Sequence, residues 1–258
     1  LRRFGCKGTY GLKRRLESMM WKYYDDFAAG RIEERNLPFV AARVGFRTKL
    51  LTRKVADEKL LKNSPFGRAV MMLDALEQAA SSPLYNILSK YTFSRRLEPG
   101  CGFKNTVVKA SSDWIEIWSH VRKGKAIVEL DWSKFDRERP RQDLQFIISI
   151  IISCFRAGNA RERRLLRAYE VMLHRSLVSR PIITDEGGVF TIDGMVPSGS
   201  LWTGWIDTAL NILYMRSTCT HLGIPPASYH VMCAGDDNLT VFLRDPGDRL
   251  LLQIRELL

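Results

Sequence analysis

Polar and apolar positions follow two periods along this chain. From residue 8 to 36, Leu12, Leu16, Met19, Met20, Tyr23 and Phe27 recur at helical spacing among basic residues, which predicts an amphipathic helix. FRTKLLTRKV (46–55) departs from that period. It alternates in part, carries Arg47, Lys49, Arg53 and Lys54, and reads as a strand or extended loop. Residues 67–91 return to the helical period, with a break expected near Pro83. LEPGCGFKN (97–105) reads as a loop and DWIEIWSHVR (113–122) as a helix. AIVELD (126–131) is a buried strand ending on Asp131, and Pro140 sits where a helix can begin. DEGGVFTIDG (185–194) reads as a hairpin or loop, and 201–216 as a helix. YHVMCA and LTVF are two strands on either side of GDD, and the last residues, IRELL, lie in an amphipathic helix. Strand–helix followed by helix–strand–turn–strand predicts an α+β fold with an antiparallel sheet.

Composition adds a direction to this outline. Of the 258 residues, 45% are hydrophobic, which is enough for a core and excludes a disordered chain. The net charge of +12 is uneven: residues 1–70 carry +10 and the remaining 188 only +2. The basic N-terminal part points to a polyanion or to a solvated surface chosen for solubility. The longest apolar run, LQFIISIIISCF (144–155), has 12 residues, short of the ~20 of a membrane span, so it is a buried helix or strand. The five cysteines (Cys6, Cys101, Cys154, Cys219 and Cys233) have no paired spacing, which argues against zinc and for reduced thiols in a cytosolic setting. The chain starts on Leu1 and ends inside a helical pattern, as a fragment would.

Three short stretches carry candidate chemistry. LDWSKFD places Asp131 at a strand end and Asp136 five residues on; alone, this is equally a surface turn. GDD places Asp236 and Asp237 between apolar, β-prone segments. A type I′ turn that uses Asp for its φ tolerance accounts for one of them. A cation shared with Asp131 accounts for both, since Mg²⁺ takes one or two carboxylates plus substrate phosphates. In GMVPSGSLWTGWIDTALN (194–211) a Pro/Gly loop precedes a mostly apolar helix, on which Thr203, Asp207 and Asn211 form one polar line at four-residue spacing. Such a line either binds something specific or is a buried stripe satisfied by neighbouring backbone. Gly199, after Ser198, lets the backbone approach a ligand closely.

In this order, DxxxxD, SGxxxT with its polar helix, and GDD resemble palm motifs A, B and C of viral RNA-dependent RNA polymerases. DWSKFDRERP, GMVPSGSLWTGWIDTALN and AGDDN look most like double-stranded RNA viruses of the amalgavirus and partitivirus groups, amalgavirus in particular. TKLLTRKV looks like the basic motif F, so the resemblance spans at least residues 40–245.

The resemblance implies a right-hand fold. Fingers would come from 1–110, a fingers insertion from 157–185, and the palm from 111–156 and 186–258, with the thumb largely missing. Asp131 and Asp236 would bind two Mg²⁺ ions (or Mn²⁺), and Asp237 would be an auxiliary acid. Asp136 would sense the ribose 2′-OH, in a network with Ser198, Gly199, Thr203, Asp207 and Asn211. Asp207 stands where positive-strand RNA viruses have Asn, and a carboxylate there can only accept hydrogen bonds. Arg53, helped by Lys49, would hold the triphosphate.

The partners would be template and nascent RNA and nucleoside triphosphates, with no membrane segment, in a replication complex or particle in the host cytoplasm. No lysine follows Lys134, so the lysine expected of motif D is absent, and the fragment alone would polymerise weakly or not at all. Two rivals stand beside this reading: an RNA-binding polymerase remnant, and a reverse transcriptase-like palm, against which Asp136 and SGxxxT speak.

Overall fold

Residues 8–33, 36–37, 41–47, 56–57, 68–98, 100–107, 112–132, 134–184 and 186–258 are described by the computed structural model. The chain forms two compact units, Leu1–Ser82 with Pro140–Ser200, and Pro83–Arg139 with Leu201–Leu258.

The first unit opens with α1 (Thr9–Ala28), shorter than the period suggested. Then come β1 (Ala42–Arg47) and β2 (Arg68–Met72), paired antiparallel from Arg43↔Met72 to Arg47↔Arg68. Residues 68–72 were expected in a helix. A short apolar run such as RAVMM fits either period, and a non-local partner, β1, decides it. The helix that follows, α2 (Ala75–Ser94), starts where the Leu76 backbone N–H donates to Asp74 Oδ1 at 2.9 Å. It continues through Pro83 without the expected break. Pro83 cannot donate to the carbonyl four residues back, Ala79 O. The Ser82 hydroxyl takes that carbonyl instead, at 2.8 Å.

The apolar run at 144–155 is settled by α4 (Arg141–Ser153), in which Leu144, Ile147, Ile148 and Ile151 form one buried face at helical spacing. The short helix at 112–121, α3, belongs to the second unit. Asn159 caps α5 (Ala160–Leu173), accepting from the Glu162 N–H at 2.9 Å. A π-helical turn, His174–Val178, leads into β4 (Ser179–Ile183), which forms a hairpin with β5 (Val189–Asp193). The sheet order is β2-β1-β4-β5, with β1 and β4 parallel. Buried tyrosine hydroxyls tie the helices: Tyr23 to Ala168 O at 3.0 Å, Tyr24 to Ala80 O at 2.6 Å, and Tyr169 to Ser81 O at 2.5 Å.

The second unit is built on an antiparallel sheet of order β3-β7-β6, with β3 (Ala126–Asp131), β6 (Tyr229–Ala234) and β7 (Asp237–Phe242). Its register, Ala126↔Phe242 to Asp131↔Asp237 and Tyr229↔Phe242 to Ala234↔Asp237, puts alternate residues on opposite faces. On one face Tyr229, Val231, Cys233 and Phe242 pack with Met215 and Cys219 of α6 (Thr203–His221) and Ile254 of α7 (Asp248–Leu257). On the other, Met232 and Val241 pack with Ile117 and Val121 of α3. Both faces are thus covered at mid-strand, and the strand ends at Asp131 and Asp237 are left exposed. Among the described residues no helix is long and apolar enough to cross a membrane.

The Tyr24 phenol is held well above its ordinary value by burial, reinforced by the nearby Tyr169 and Tyr23. A raised folded-state value means its stabilisation is complete below the unfolded pKa of about 10 and is lost as pH climbs beyond it. Tyr24→Phe should cost about 1 kcal/mol at neutral pH and make the alkaline loss of stability shallower. Urea titrations of both proteins at neutral and alkaline pH check this.

Candidate active site

The register of the second sheet faces Asp131 directly with Asp237. Cross-strand partners point to the same side, with Cβ atoms ~5 Å apart, and like charges there repel. Asp236 lies next to them in the two-residue turn that joins β6 to β7. Gly235 has φ +71, and Asp236 is not among the residues with positive φ. That is the signature of a type II′ turn. Both residues of a type I′ turn would need positive φ, so the aspartate is not in the turn for its φ tolerance. A Cβ added at Gly235 would meet nothing within 4 Å. The glycine is required by its backbone angle alone.

The turn is held from beneath by α6. Asn211, fully buried, directs its amide nitrogen at three carbonyls, those of Gly235 (3.1 Å), Asp236 (3.0 Å) and Asp237 (3.3 Å). Its Oδ1 accepts from Trp132 Nε1 at 3.1 Å and from Asn238 Nδ2 at 2.8 Å. One turn earlier on α6, Thr208 Oγ1 accepts from the Gly235 N–H at 2.8 Å and lies 2.9 Å from Asn105 Oδ1. Thr240 donates to Asn238 Oδ1 at 2.8 Å, and Asn238 Nδ2 lies 3.3 Å from Cys233 Sγ. Burial pushes the Cys233 thiol up to about 12, so it stays neutral beneath the turn.

Asn211 therefore departs from the expectation that its amide reads a nucleotide. Both hydrogens and the carbonyl oxygen are committed inside the protein. Thr203 and Asp207, half-buried and buried, lie on the same stripe of α6 at the expected spacing.

Between Asp131 and Asp136 the chain turns through Lys134, which has φ +55. Asp136 is half-buried there. The turn is anchored by Phe135, 2% exposed, which packs edge-on to Trp132 and Tyr214 with centroids 5.2 and 6.1 Å away. The Arg139 guanidinium lies over Phe135 (4.2 Å), Tyr214 (5.1 Å) and Trp132 (5.7 Å), and its Nε donates to Phe135 O at 2.8 Å. Arg139 thus closes an aromatic cluster with a cation–π contact to each ring.

Ser198 and Gly199 belong to the first unit, in the loop after β5. Ser198 O accepts from the Met71 N–H at 2.8 Å and Gly199 O from Gln78 Nε2 at 2.7 Å. Gly199 has φ +119, and a Cβ there would come within 2.3 Å of Met71 O. Here glycine is required both by its angle and by the close approach of a neighbouring backbone. Arg53 and Lys49 lie outside the described residues.

The strand-end carboxylates offer hard oxygen donors that suit a divalent cation. Among the described residues no group of three or more His, Cys, Asp or Glu side chains is placed to hold a metal ion. An open pair of carboxylates fits Mg²⁺, which keeps room for water and phosphate oxygens.

Residues 99–249, more than half of the chain, match the family model described as viral RNA-dependent RNA polymerase. The chain belongs to that family. None of the curated proteins matches this polymerase by sequence. Among solved structures it is similar to the Sicinivirus 3Dpol RNA-dependent RNA polymerase, with a TM-score of 0.68 at 15% identity. That likeness covers 91% of this chain and 46% of the other, so this polymerase chain spans about half the length of that structure. At this identity the likeness shows the fold: mixed α+β, with an antiparallel sheet flanked by helices.

The candidate site depends on residues that pattern reading passed over. Thr208 and Asn238 adjoin Asp207 and Asp237, and their polarity inside apolar segments was the available signal. Trp132 reads as generic core, and nothing local marks Asn105 as a partner of α6. Asn211→Ala should cost about 3 kcal/mol, because several buried polar groups lose their partner at once. Gly235→Ala should cost less, about 1–3 kcal/mol, the cost of a side chain held in a positive-φ turn conformation that L residues rarely adopt. Denaturant melts of the two variants side by side check the order.

Proposed function

We propose that this polymerase carries out template-directed RNA synthesis, joining a nucleoside triphosphate to the 3′-OH of a growing RNA strand. The observation that carries the reading is the placement of Asp131, Asp236 and Asp237 together at one exposed sheet end, inside the region that matches the family. Asp131 and Asp236 would hold two Mg²⁺ ions, or Mn²⁺, with Asp237 as the auxiliary carboxylate. Bound there, the metals would lower the pKa of the attacking hydroxyl and neutralise charge on the leaving pyrophosphate.

The chain's own residues do the positioning. Asn211 and Thr208 fix the turn, so the carboxylates meet the substrate without reorganising. Asp136, Ser198, Gly199, Thr203 and Asp207 would recognise the ribose, while Arg53 and Lys49 would grip the triphosphate. Template bases choose the nucleotide, and the protein would meet RNA through phosphates and 2′-OH groups. The first unit with the basic N-terminal segment would be fingers and the second palm.

Within the family, DWSKFDRERP, GMVPSGSLWTGWIDTALN and AGDDN support a place among double-stranded RNA viruses of the amalgavirus type. The host cytoplasm is the proposed site of action, in keeping with the free thiols of Cys101, Cys154, Cys219 and Cys233.

RNA synthesis by the full-length protein on a homopolymeric template, with the matching NTP and Mg²⁺, tests the reading. Asp236→Ala should lower the rate roughly a thousandfold or more, and Asp237→Ala distinctly less. Equal rates for the parent and Asp236→Ala would refute the assignment.

A further inference from the structure

We propose that Arg180 is a positioning residue: it sets the conformation of the 194–200 loop and, through Ser198, the preference for ribonucleotides over deoxyribonucleotides. The second half of this statement rests on the ribose reading of Ser198 given above.

Arg180 sits on β4 with 3% of its surface exposed. A buried guanidinium is costly unless its donors are used. Here they are spent on backbone at two places. Nη1 donates to Ser176 O and Leu177 O, both at 3.2 Å, which are carbonyls of the π-helical turn. Nη2 donates to Met195 O at 2.9 Å. Nε points at Met71 Sδ at 3.1 Å, a weak acceptor. A compensating carboxylate is near: burial holds Glu77 above the usual carboxylate range, while Ser176, whose hydroxyl donates to Glu77, and Arg180 pull it back. Burial in turn lowers Arg180 to about 10, opposed by Glu77. Arg180 therefore stays charged at neutral pH.

The loop end of this network is the informative part. Met195 is a non-glycine residue with φ +63, sparsely populated for such residues. Its carbonyl is the one that Arg180 takes. The same Met71 that receives Arg180 Nε also donates its N–H to Ser198 O, and Gln78 holds Gly199 O. The loop is tied at residues 195, 198 and 199 by three neighbours of the same unit. Fixing the carbonyls of 198 and 199 fixes both peptide planes around Gly199, the residue that follows Ser198. The π-helical turn that ends α5 supplies the fulcrum on which Arg180 rests. Lysine could keep the charge, but a single ammonium cannot replace a fork that reaches two segments at once.

The test uses the full-length protein with Arg180→Lys and, as a milder variant on a half-buried helix position, Gln78→Ala. Two readouts are taken on each, after a melt confirms folding. One is amide hydrogen exchange of peptides covering 194–200. The other is the ratio of kcat/KM for an NTP and for its 2′-deoxy counterpart, measured on one preparation. Exchange confined to the loop should rise about tenfold, and the ratio should fall by a similar factor, more for Arg180→Lys.

A residue that merely supports the sheet would change the melt and the overall rate while leaving the ratio intact. Loop exchange unchanged in the variants overturns the proposal, as does a loosened loop with an unchanged ratio. If Arg180→Lys does not fold, Arg180→Gln, which keeps a donor but loses the fork, takes its place under the same criteria. A parent enzyme with no preference for NTPs would count against the ribose reading of Ser198 and the selectivity claim, while the exchange data would still decide the loop claim.

Discussion

The carbonyls of Gly235, Asp236 and Asp237 converge on one side-chain amide, that of Asn211. Buried peptide groups need partners, and a reversing chain has few of its own to offer. By filling that need from a helix, the molecule ties the hairpin tip to α6, and α6 in turn lies across the sheet through Met215 and Cys219. The same amide accepts from Trp132, one residue after Asp131. A single side chain thus reads the position of three elements: the end of β3, the β6–β7 turn and the helix beneath them. Displacing any one of them breaks bonds to the other two.

This rigidity matters because the tip is electrostatically uncomfortable. Asp131 and Asp237 face each other, with Asp236 adjacent. Repelling carboxylates would separate if the backbone were free to move. The ladder of six register pairs on each side of β7 and the two covered faces of the sheet prevent that. The carboxylates are thereby kept close together. The first unit uses the same device with opposite signs: a buried cation, Arg180, is held by carbonyls and in turn holds a loop.

Much of this was legible from the residues themselves. AIVELD is a strand from Ala126 to Asp131 as its pattern implied, and the GDD hairpin and the helix after SGS stand where they were placed. These segments have strong local periods and Gly or Pro at their ends. Two failures share one cause. RAVMM could not reveal that it pairs with β1, and Asn211 could not reveal that it points down at a turn 24 residues further on. Periodicity shows which face of an element is polar, but not what lies opposite that face. Pro83 misled for a different reason: its cost is local, and so was the remedy, in the adjacent Ser82.

That remedy binds the two positions together over evolutionary time. With proline at 83, a hydroxyl at 82 serves the Ala79 carbonyl, and losing it would expose the gap in the helix ladder. With an ordinary residue at 83, the ladder would close by itself and position 82 would be released from that duty. Drift at one position is therefore conditional on the other. A proline at this position is therefore tolerated best beside a residue with a hydroxyl.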